Sequence, residues 1–198
     1  MRRIGLTGGI ASGKSTVSTW LREAGVPVLD SDTLARQAVA PGSSGLAELV
    51  AQFGEKMLLP DLSLNREALG ALVFRDAEAR VRLNAIVHPR VRALTDEALQ
   101  RLEAAGETRV VLDIPLLYEV RDPTEFETVV VVYVDAETQL QRLMKRNNLS
   151  EADARARINS QLSLEEKKAR ADVVIDNGGS FEETRRQVEV LLQGLLAR

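Results

Sequence analysis

Cysteine is absent from this chain of 198 residues, which excludes a disulfide framework and a thiolate metal site. Long apolar runs are absent too, since the longest, Val129 to Val134, is far shorter than the ~20 residues of a membrane span. Positive charge does not dominate: 26 basic residues stand against 29 acidic ones, for a net charge of −3. That balance lacks the broad basic field that gathers nucleic acid. We expect a cytoplasmic protein with no nucleic-acid, membrane or obligate protein partner.

Little room is left at the amino terminus for a targeting signal. Met1 to Arg3 leads straight into the apolar stretch Ile4 to Leu6, so we expect no signal peptide. With 44% hydrophobic residues, a chain of this length can bury a full core and fits one α/β domain with insertions.

Short β-branched runs alternate with helical patterns along much of the chain. The candidate strands are Arg3 to Leu6, Val26 to Leu29, Arg109 to Asp113, Thr128 to Val134 and Asp172 to Ile175. Their apolar residues are continuous rather than alternating, which is typical of strands buried on both faces of a parallel sheet. The pattern predicts a doubly wound, three-layer α/β fold with ligands at the carboxyl ends of the strands.

The first predicted helix carries an apolar stripe at i, i+3, i+4 and i+7. Its members are Val17, Trp20, Leu21 and Ala24. Because this spacing is that of a core-facing helix surface, we expect Trp20 to pack in the core rather than to stack on a base.

A glycine-rich run joins the first strand to this helix. Gly8-Gly9-Ile10-Ala11-Ser12-Gly13-Lys14-Ser15 fits the pattern G-x-x-x-x-G-K-[ST] at every fixed position. Glycines let successive backbone N–H groups and the helix N-terminus point at phosphate oxygens. Lys14 is then expected to reach the β- and γ-phosphates of a nucleoside triphosphate, and Ser15 to ligate Mg²⁺. An ordinary glycine-rich turn is the alternative, but it requires neither a lysine nor a hydroxyl at these positions.

Carboxylates follow two of the predicted strands. Asp30-Ser31-Asp32 comes after the second strand and Asp113 closes the third, so both sets are expected at the ligand-binding edge of the sheet. Asp113 suits the acid that holds Mg²⁺, often through water. Asp30 or Asp32 could accept a proton from an attacking hydroxyl. Helix capping is an equally open interpretation of Asp32.

Two segments interrupt the alternation of strands and helices. Residues 32–107 show only helical patterns and are too long for a plain crossover, which predicts an inserted helical subdomain. Residues 145–170 are strongly charged short helical pieces, with Ser150 as the expected N-cap of a helix from Glu151 to Asn159. We expect a mobile lid that covers the phosphates, although a solvated helical face is the alternative for any single arginine there.

Taken together, these residues resemble the dephospho-CoA kinase family over almost the whole chain. The most specific similarity is Asp113-Ile114-Pro115-Leu116-Leu117-Tyr118-Glu119, which resembles that family's Asp-hydrophobic-Pro-Leu-Leu-aromatic-Glu signature. The glycine-rich loop is similar to the family's loop, with Ala11 where a glycine is common. Further similar segments are Asp30-Ser31-Asp32, His88-Pro89, Asp172 to Asn177, and the lid residues Arg142, Arg146, Gln161 and Glu165-Glu166-Lys167.

The resemblance implies a P-loop NTPase fold with a parallel five-stranded sheet, and transfer of the γ-phosphoryl group of ATP to the ribose 3′-hydroxyl of dephospho-CoA. The core is expected at 1–31, 108–144 and 171–198, the CoA-binding insertion at 32–107 and the lid at 145–170. By this resemblance, Asp32, Lys14 and Arg142 are the catalytic residues, with Asp32 as the base, and Ser15 and Asp113 bind Mg²⁺. The implied nucleotide-binding residues are Ala11, Ser12, Gly13, Lys14, Ser15, Thr16, Arg146 and Asn177. The implied substrate-binding residues are Asp32, His88, Leu116 and Gln161.

His88 is the single histidine of the chain. The residue by itself favours a packed or capping histidine, with Pro89 in the first turn of the next helix, whereas the resemblance implies contact with substrate. Other small-molecule or nucleotide kinases would share the loop, but they are not expected to carry both the Asp-Ile-Pro-Leu-Leu and His-Pro segments. A regulatory nucleotide switch is disfavoured, because no D-x-x-G follows Asp113 and no N-K-x-D occurs.

Overall fold

The computed structural model describes residues 1–196; residues 197 and 198, the end of the predicted core segment, lie outside the described residues. The strands are β1 (Arg2–Gly8), β2 (Val28–Asp30), β3 (Arg109–Asp113), β4 (Thr128–Tyr133) and β5 (Val173–Asp176). The helices are α1 (Lys14–Glu23), α2 (Ser31–Ala38), α3 (Ser44–Phe53), α4 (Arg66–Arg75), α5 (Ala77–Ala104), α6 (Leu117–Val120), α7 (Ala136–Asn147), α8 (Glu151–Asn159), α9 (Leu164–Ala169) and α10 (Phe181–Leu196). Short 3₁₀ turns occur at Glu55–Met57 and Pro123–Glu125.

The strands form one five-stranded sheet in the order β2-β3-β1-β4-β5. The central strand β1 pairs in parallel with β3 on one side and with β4 on the other, and Leu6 is level with both Asp113 and Val130. The predicted α/β fold with a parallel five-stranded sheet is confirmed. Because β1 and β3 run side by side, the residues that follow their carboxyl ends emerge next to each other.

Strand boundaries differ from the sequence prediction by one or two residues except at β3, whose predicted range is the observed one. Val26 was expected to begin the second strand, but β2 begins at Val28. Val26 is nevertheless 4% exposed. A β-branched apolar residue can therefore be buried in the turn that precedes a strand. Its residue type alone does not show whether it lies in the turn or in the strand.

Both faces of the sheet are covered, which accounts for the continuous apolar run in β4. On one face, Val130 and Val132 pack against residues of α1 and α10. On the other face, Val131 and Tyr133 pack against Leu164 of α9. Successive side chains of a strand point to opposite faces, so a strand between two helical layers needs apolar residues at every position.

Helix α1 buries Val17 and Leu21 as its stripe predicts. The ring of Trp20 packs against the same cluster and meets Phe181 edge-on, with ring centroids 4.7 Å apart, so the predicted packing role is confirmed. The prediction for Ala24 is wrong. The helix ends at Glu23, and Ala24 is an exposed C-cap residue because the chain turns at Gly25 (φ 81°).

The chain divides into two compact units, one formed by Met1–Leu29 with the chain from Gly106 onward, the other by Asp30–Ala105. The second unit is helical and has its own core. The buried residues of this core include Leu46, Leu49, Met57, Leu69, Ala79 and Ile86. No helix among the described residues is long and apolar enough to cross a membrane.

The His-Pro step of this second unit differs from the expectation. Pro89 lies inside the 28-residue helix α5 rather than in the first turn of a new helix. His88 is exposed and is neither packed nor a cap. It shares an open face of α5 with Asn84, Arg92 and Asp96. A proline removes one backbone donor, and the neighbouring turns of a long helix tolerate that loss when other packing holds the helix together.

Candidate active site

The glycine-rich loop leads from β1 into the N-terminus of α1. The loop closes on itself through backbone bonds from the Ser12 N–H to the Gly9 carbonyl (3.1 Å) and from the Thr16 N–H to the Gly13 carbonyl (3.0 Å). No side chain caps α1, and its first turn contains no acidic residue. The first N–H groups of a helix lack partners within the helix and carry partial positive charge, so this end of α1 suits an anion.

Two residues of the loop have left-handed backbone conformations. Gly13 has φ of 91°, and a Cβ at this position would collide with the side-chain amide of Asn177. Ala11 has φ of 61°. An L-residue in this region costs about 1–2 kcal/mol, which explains physically why a glycine suits the Ala11 position.

Lys14 and Asp113 contact each other directly. The Lys14 ammonium donates to one oxygen of the Asp113 carboxylate, and the hydroxyl of Ser18 donates to the other. The Asp113 side chain is 3% exposed and that of Lys14 is 16% exposed. A buried carboxylate is stable when it is paired and hydrogen-bonded, and both conditions are met here.

The residues present fit a magnesium ion that is held mainly by phosphate and water. Within residues 1–196, no three histidine or acidic side chains converge into a ready-made metal cluster. Mg²⁺ in nucleotide sites uses one or two protein ligands together with phosphate oxygens and waters. The hydroxyl of Ser15 lies in the exposed first turn of α1, and Asp113 lies at the end of the adjacent strand, which is a donor set of that kind.

Side chains from distant parts of the chain form hydrogen bonds with the backbone of the glycine-rich loop. The Gln139 amide donates to the Ile10 carbonyl (2.9 Å), and the Ile10 N–H donates to the Gln161 amide oxygen (3.0 Å). The Asn177 amide donates to the Ser12 carbonyl (2.8 Å). Gln161, a predicted substrate residue, therefore contacts the loop in this structure, and its role towards substrate stays a prediction.

Asn177 also joins the loop after β5 to helix α7. Its carbonyl accepts from the Arg142 guanidinium (2.9 Å), and its side-chain oxygen accepts from the Thr184 hydroxyl (2.9 Å). Arg142 is half-buried, whereas Arg146, one turn further along α7, is exposed and donates to Asn147. Of the two predicted arginines, Arg142 is the one tied to the nucleotide-binding loop.

The predicted lid contains both exposed and buried parts. Ser150 caps α8, and that prediction is confirmed. In α9, Leu164 and Lys167 are buried, and a capping box between Ser163 and Glu166 closes the start of the helix. The Ser163 hydroxyl and its backbone lower the pKa of Glu166 below its usual value.

Tyr133, at the end of β4, contacts the same helix. Its hydroxyl donates to Glu165, and that hydrogen bond, with burial in second place, raises the pKa of Tyr133 to about 12. The hydroxyl is therefore protonated at neutral pH and serves as a donor that holds α9 against the sheet.

The two aspartates after β2 have different local roles. Asp30 is the N-cap of α2, and its carboxylate accepts from the Thr33 N–H (3.0 Å). Asp32 lies in the first turn of α2 and is exposed. The capping role that the sequence left open for Asp32 thus falls to Asp30. Asp32 and His88 belong to the second unit, and both stay predicted substrate residues.

The remaining predicted residues lie in the first unit. Thr16 is in the first turn of α1, and Leu116 is 37% exposed in the turn before α6. Sequence reasoning missed Ser18 and Gln139 as supports of the site, and it gave no role to Lys167 beyond a similarity. Gln139 and Ser18 are polar side chains at 4% and 1% exposure, and no local pattern distinguishes them from surface residues.

An anion-binding loop at the end of a central parallel strand, with a buried acid at the end of the next strand, is the arrangement of the P-loop nucleotide-dependent enzymes. The family model described as dephospho-CoA kinase matches residues 2–183. The chain belongs to the dephospho-CoA kinase family, and it is therefore a kinase.

The chain is similar to individual relatives over nearly the full length of both sequences. The chain is 54% identical to a dephospho-CoA kinase of Shouchella clausii, with 94% of each chain covered. Among solved structures, it is similar to TT1252 from Thermus thermophilus, with a TM-score of 0.82, 39% identity, and 98% and 97% of the two chains covered. It is also similar to a dephospho-CoA kinase from Campylobacter jejuni, with a TM-score of 0.74, 30% identity and 98% of each chain covered.

Proposed function

We propose that this chain transfers the γ-phosphoryl group of ATP to the 3′-hydroxyl of the ribose of dephospho-CoA, giving CoA and ADP. The observation that carries the phosphoryl-transfer part is the contact between Lys14 of the loop and the buried Asp113. It places a cation and an acid beside a helix N-terminus that has no side-chain cap. The choice of acceptor rests on membership of the family.

In the proposed reaction, a bond forms between the 3′-oxygen and the γ-phosphorus, and the bond from that phosphorus to the β,γ-bridging oxygen breaks. The hydroxyl proton passes to the carboxylate of Asp32, and ADP leaves with the bridging oxygen. Lys14 and Arg142 neutralise charge on the phosphates and fix their position. Ser15 and, through water, Asp113 would hold Mg²⁺, which would supply positive charge to neutralise the charge that develops on the phosphates.

The two larger segments have supporting roles in this proposal. We propose that the helical unit binds dephospho-CoA, with His88 as a contact, since a pantetheine-bearing nucleotide is much longer than a nucleoside monophosphate. Leu116, in the first unit, is a further proposed substrate contact. Within the predicted lid at 145–170, the part before residue 161 would close over the phosphates and exclude water, with Arg146 reaching the nucleotide. We place the reaction in the cytoplasm.

The acceptor decides between this function and its alternatives. The purified protein is incubated with ATP and Mg²⁺ and with dephospho-CoA, AMP, adenosine or simple sugars, and ADP release is followed. Of the acceptors tested, we expect only dephospho-CoA to support ADP release. The product should serve as substrate for a CoA-dependent enzyme, and ADP release should stop when a chelator removes Mg²⁺. Equal rates with AMP contradict the assignment, and ATP turnover without any acceptor favours a nucleotide switch.

A further inference from the structure

Lys167 is a wholly buried charge that the proposed reaction does not use. Within the described part of the chain, Lys167 and Asp113 are the two charged side chains that are buried. Lys167 is 0% exposed, and lysine is almost never buried to this extent unless its ammonium is paired. The neighbouring Lys168 is exposed, with its ammonium 3.9 Å from the centre of the Tyr133 ring.

The ammonium of Lys167 has three protons, and three acceptors surround it. It donates to the Pro115 carbonyl (3.0 Å) and to the Gly8 carbonyl (3.4 Å), and it pairs with the Glu119 carboxylate (2.9 Å). Every donor is therefore used, and the charge is compensated by an acid. An arrangement of this kind fixes the direction of the side chain as well as satisfying it.

The three acceptors belong to the segments that carry the proposed chemistry. Gly8 is the first residue of the phosphate loop, and Pro115 follows Asp113 by two positions in the family's most specific signature. The ladder between β1 and β3 ends near the bond from the Ile114 N–H to the Leu6 carbonyl (2.9 Å). Beyond this point, side chains join the two segments that follow β1 and β3. The Thr7 hydroxyl donates to the Pro115 carbonyl (3.1 Å), and Lys167 donates to the same carbonyl.

The helix that carries Lys167 is itself fixed in place. The capping box of Ser163 and Glu166 closes its first turn, and Leu164 is buried against β4. Just before it, the Leu162 N–H donates to the same Glu119 carboxylate (3.0 Å) and Gln161 accepts from Ile10. Residues 161–167 thus form a strap that contacts both the phosphate loop and the Asp113 signature.

We propose that Lys167 is a positioning residue, which holds the phosphate loop at the distance from the Asp113–Leu116 turn at which Lys14, Ser15 and Asp113 act on one nucleotide. It acts through the carbonyls of Gly8 and Pro115 and does not touch the phosphates. The inference rests on the proposed function for its kinetic consequences, but not for its consequence for nucleotide binding.

Lys167→Met tests the proposal, since methionine fills much of the same volume without charge or donors. We expect the Kd for ADP, measured by isothermal titration with Mg²⁺ present, to rise about 10-fold, and kcat to fall about 10- to 100-fold, as small displacements of positioned groups do. The KM for dephospho-CoA should stay within about twofold, because Lys167 supports the nucleotide side of the reaction.

Lys168→Met is the matched control, because it removes the same charge from the next residue of the same helix. We expect it to leave the Kd for ADP and kcat unchanged. A folded Lys167→Met protein with wild-type Kd for ADP and kcat would overturn the proposal. So would a lower kcat with unchanged ADP affinity and a reduced fraction of active molecules, because that result describes partial unfolding.

Glu119→Ala covers the case in which Lys167→Met does not fold. It removes one of the three acceptors and the support of Leu162, leaves Lys167 in place, and is expected to raise the Kd for ADP in the same direction. Wild-type ADP affinity in Glu119→Ala would then overturn the proposal. If the wild-type protein binds ADP but does not phosphorylate dephospho-CoA, the proposed function fails while the ADP titrations still decide the role of Lys167.

Discussion

The ammonium of Lys14 donates to the carboxylate of Asp113, and this contact joins the phosphate loop to the end of the neighbouring strand β3. A lysine in a surface loop is expected to matter for ligand binding alone. Here it also compensates an acid whose side chain is 3% exposed. Stability and catalysis are therefore coupled at this pair.

Lys14→Met should lower activity by about 10²-fold or more, through loss of charge stabilisation at the β- and γ-phosphates. It should also lower the free energy of unfolding, by up to about 3 kcal/mol, because Asp113 is left buried with Ser18 as its remaining partner. Urea denaturation measures this loss. The double variant Lys14→Met, Asp113→Asn should recover much of the lost stability but none of the activity. A Lys14→Met protein as stable as wild type contradicts the coupling.

Ala11→Gly should relieve the left-handed strain at φ of 61°. The gain of about 1–2 kcal/mol is offset by about 0.5–1 kcal/mol of additional chain entropy in the unfolded state, so the net effect is near zero or stabilising. The matched control is Ala24→Gly, at an exposed residue with φ of −80°, which should be destabilising by about 0.5–1 kcal/mol. Equal losses in both variants, measured by thermal denaturation, would show that Ala11 is not strained.

Asp32→Asn should keep the fold and ATP binding yet lower kcat by about 10²–10⁴-fold, because an amide cannot accept the hydroxyl proton. Asp30→Asn should cost little, because asparagine caps a helix as well as aspartate does and Asp30 is the residue that caps α2. Coupled ADP release and thermal shift distinguish the two positions. An active Asp32→Asn enzyme, or one that loses stability in step with activity, means that the base lies elsewhere.

Arg142→Ala should lower kcat/KM for ATP more than Arg146→Ala, because Arg142 also donates to the carbonyl of Asn177, whose side chain donates to the phosphate loop. The double variant should fall further if both arginines meet the triphosphate on closure, with the circular dichroism spectrum unchanged. Arg185→Ala, an exposed arginine paired with Glu189 on α10, serves as the control. Kinetics equal to wild type in the double variant would show that neither arginine acts on the triphosphate.

The sequence by itself determined the parallel sheet, the phosphate loop and the family. These features are local or periodic: a strand buried on both faces must be apolar throughout, and an anion-binding turn needs glycines, a lysine and a hydroxyl at fixed spacing. The sequence left capping and catalysis both open for Asp32, because the choice depends on a difference of one or two residues in where α2 begins.

Only the tertiary structure decided which polar side chains support the loop. Gln139, Gln161 and Lys167 each contact loop residues that are more than a hundred positions away in the chain. Both Lys167 and Lys168 lie one turn from the buried Leu164, so helical spacing alone does not show which of them enters the core. The acceptors decide it, since a buried ammonium is stable only where Gly8, Pro115 and Glu119 converge, and that convergence exists only in the folded chain.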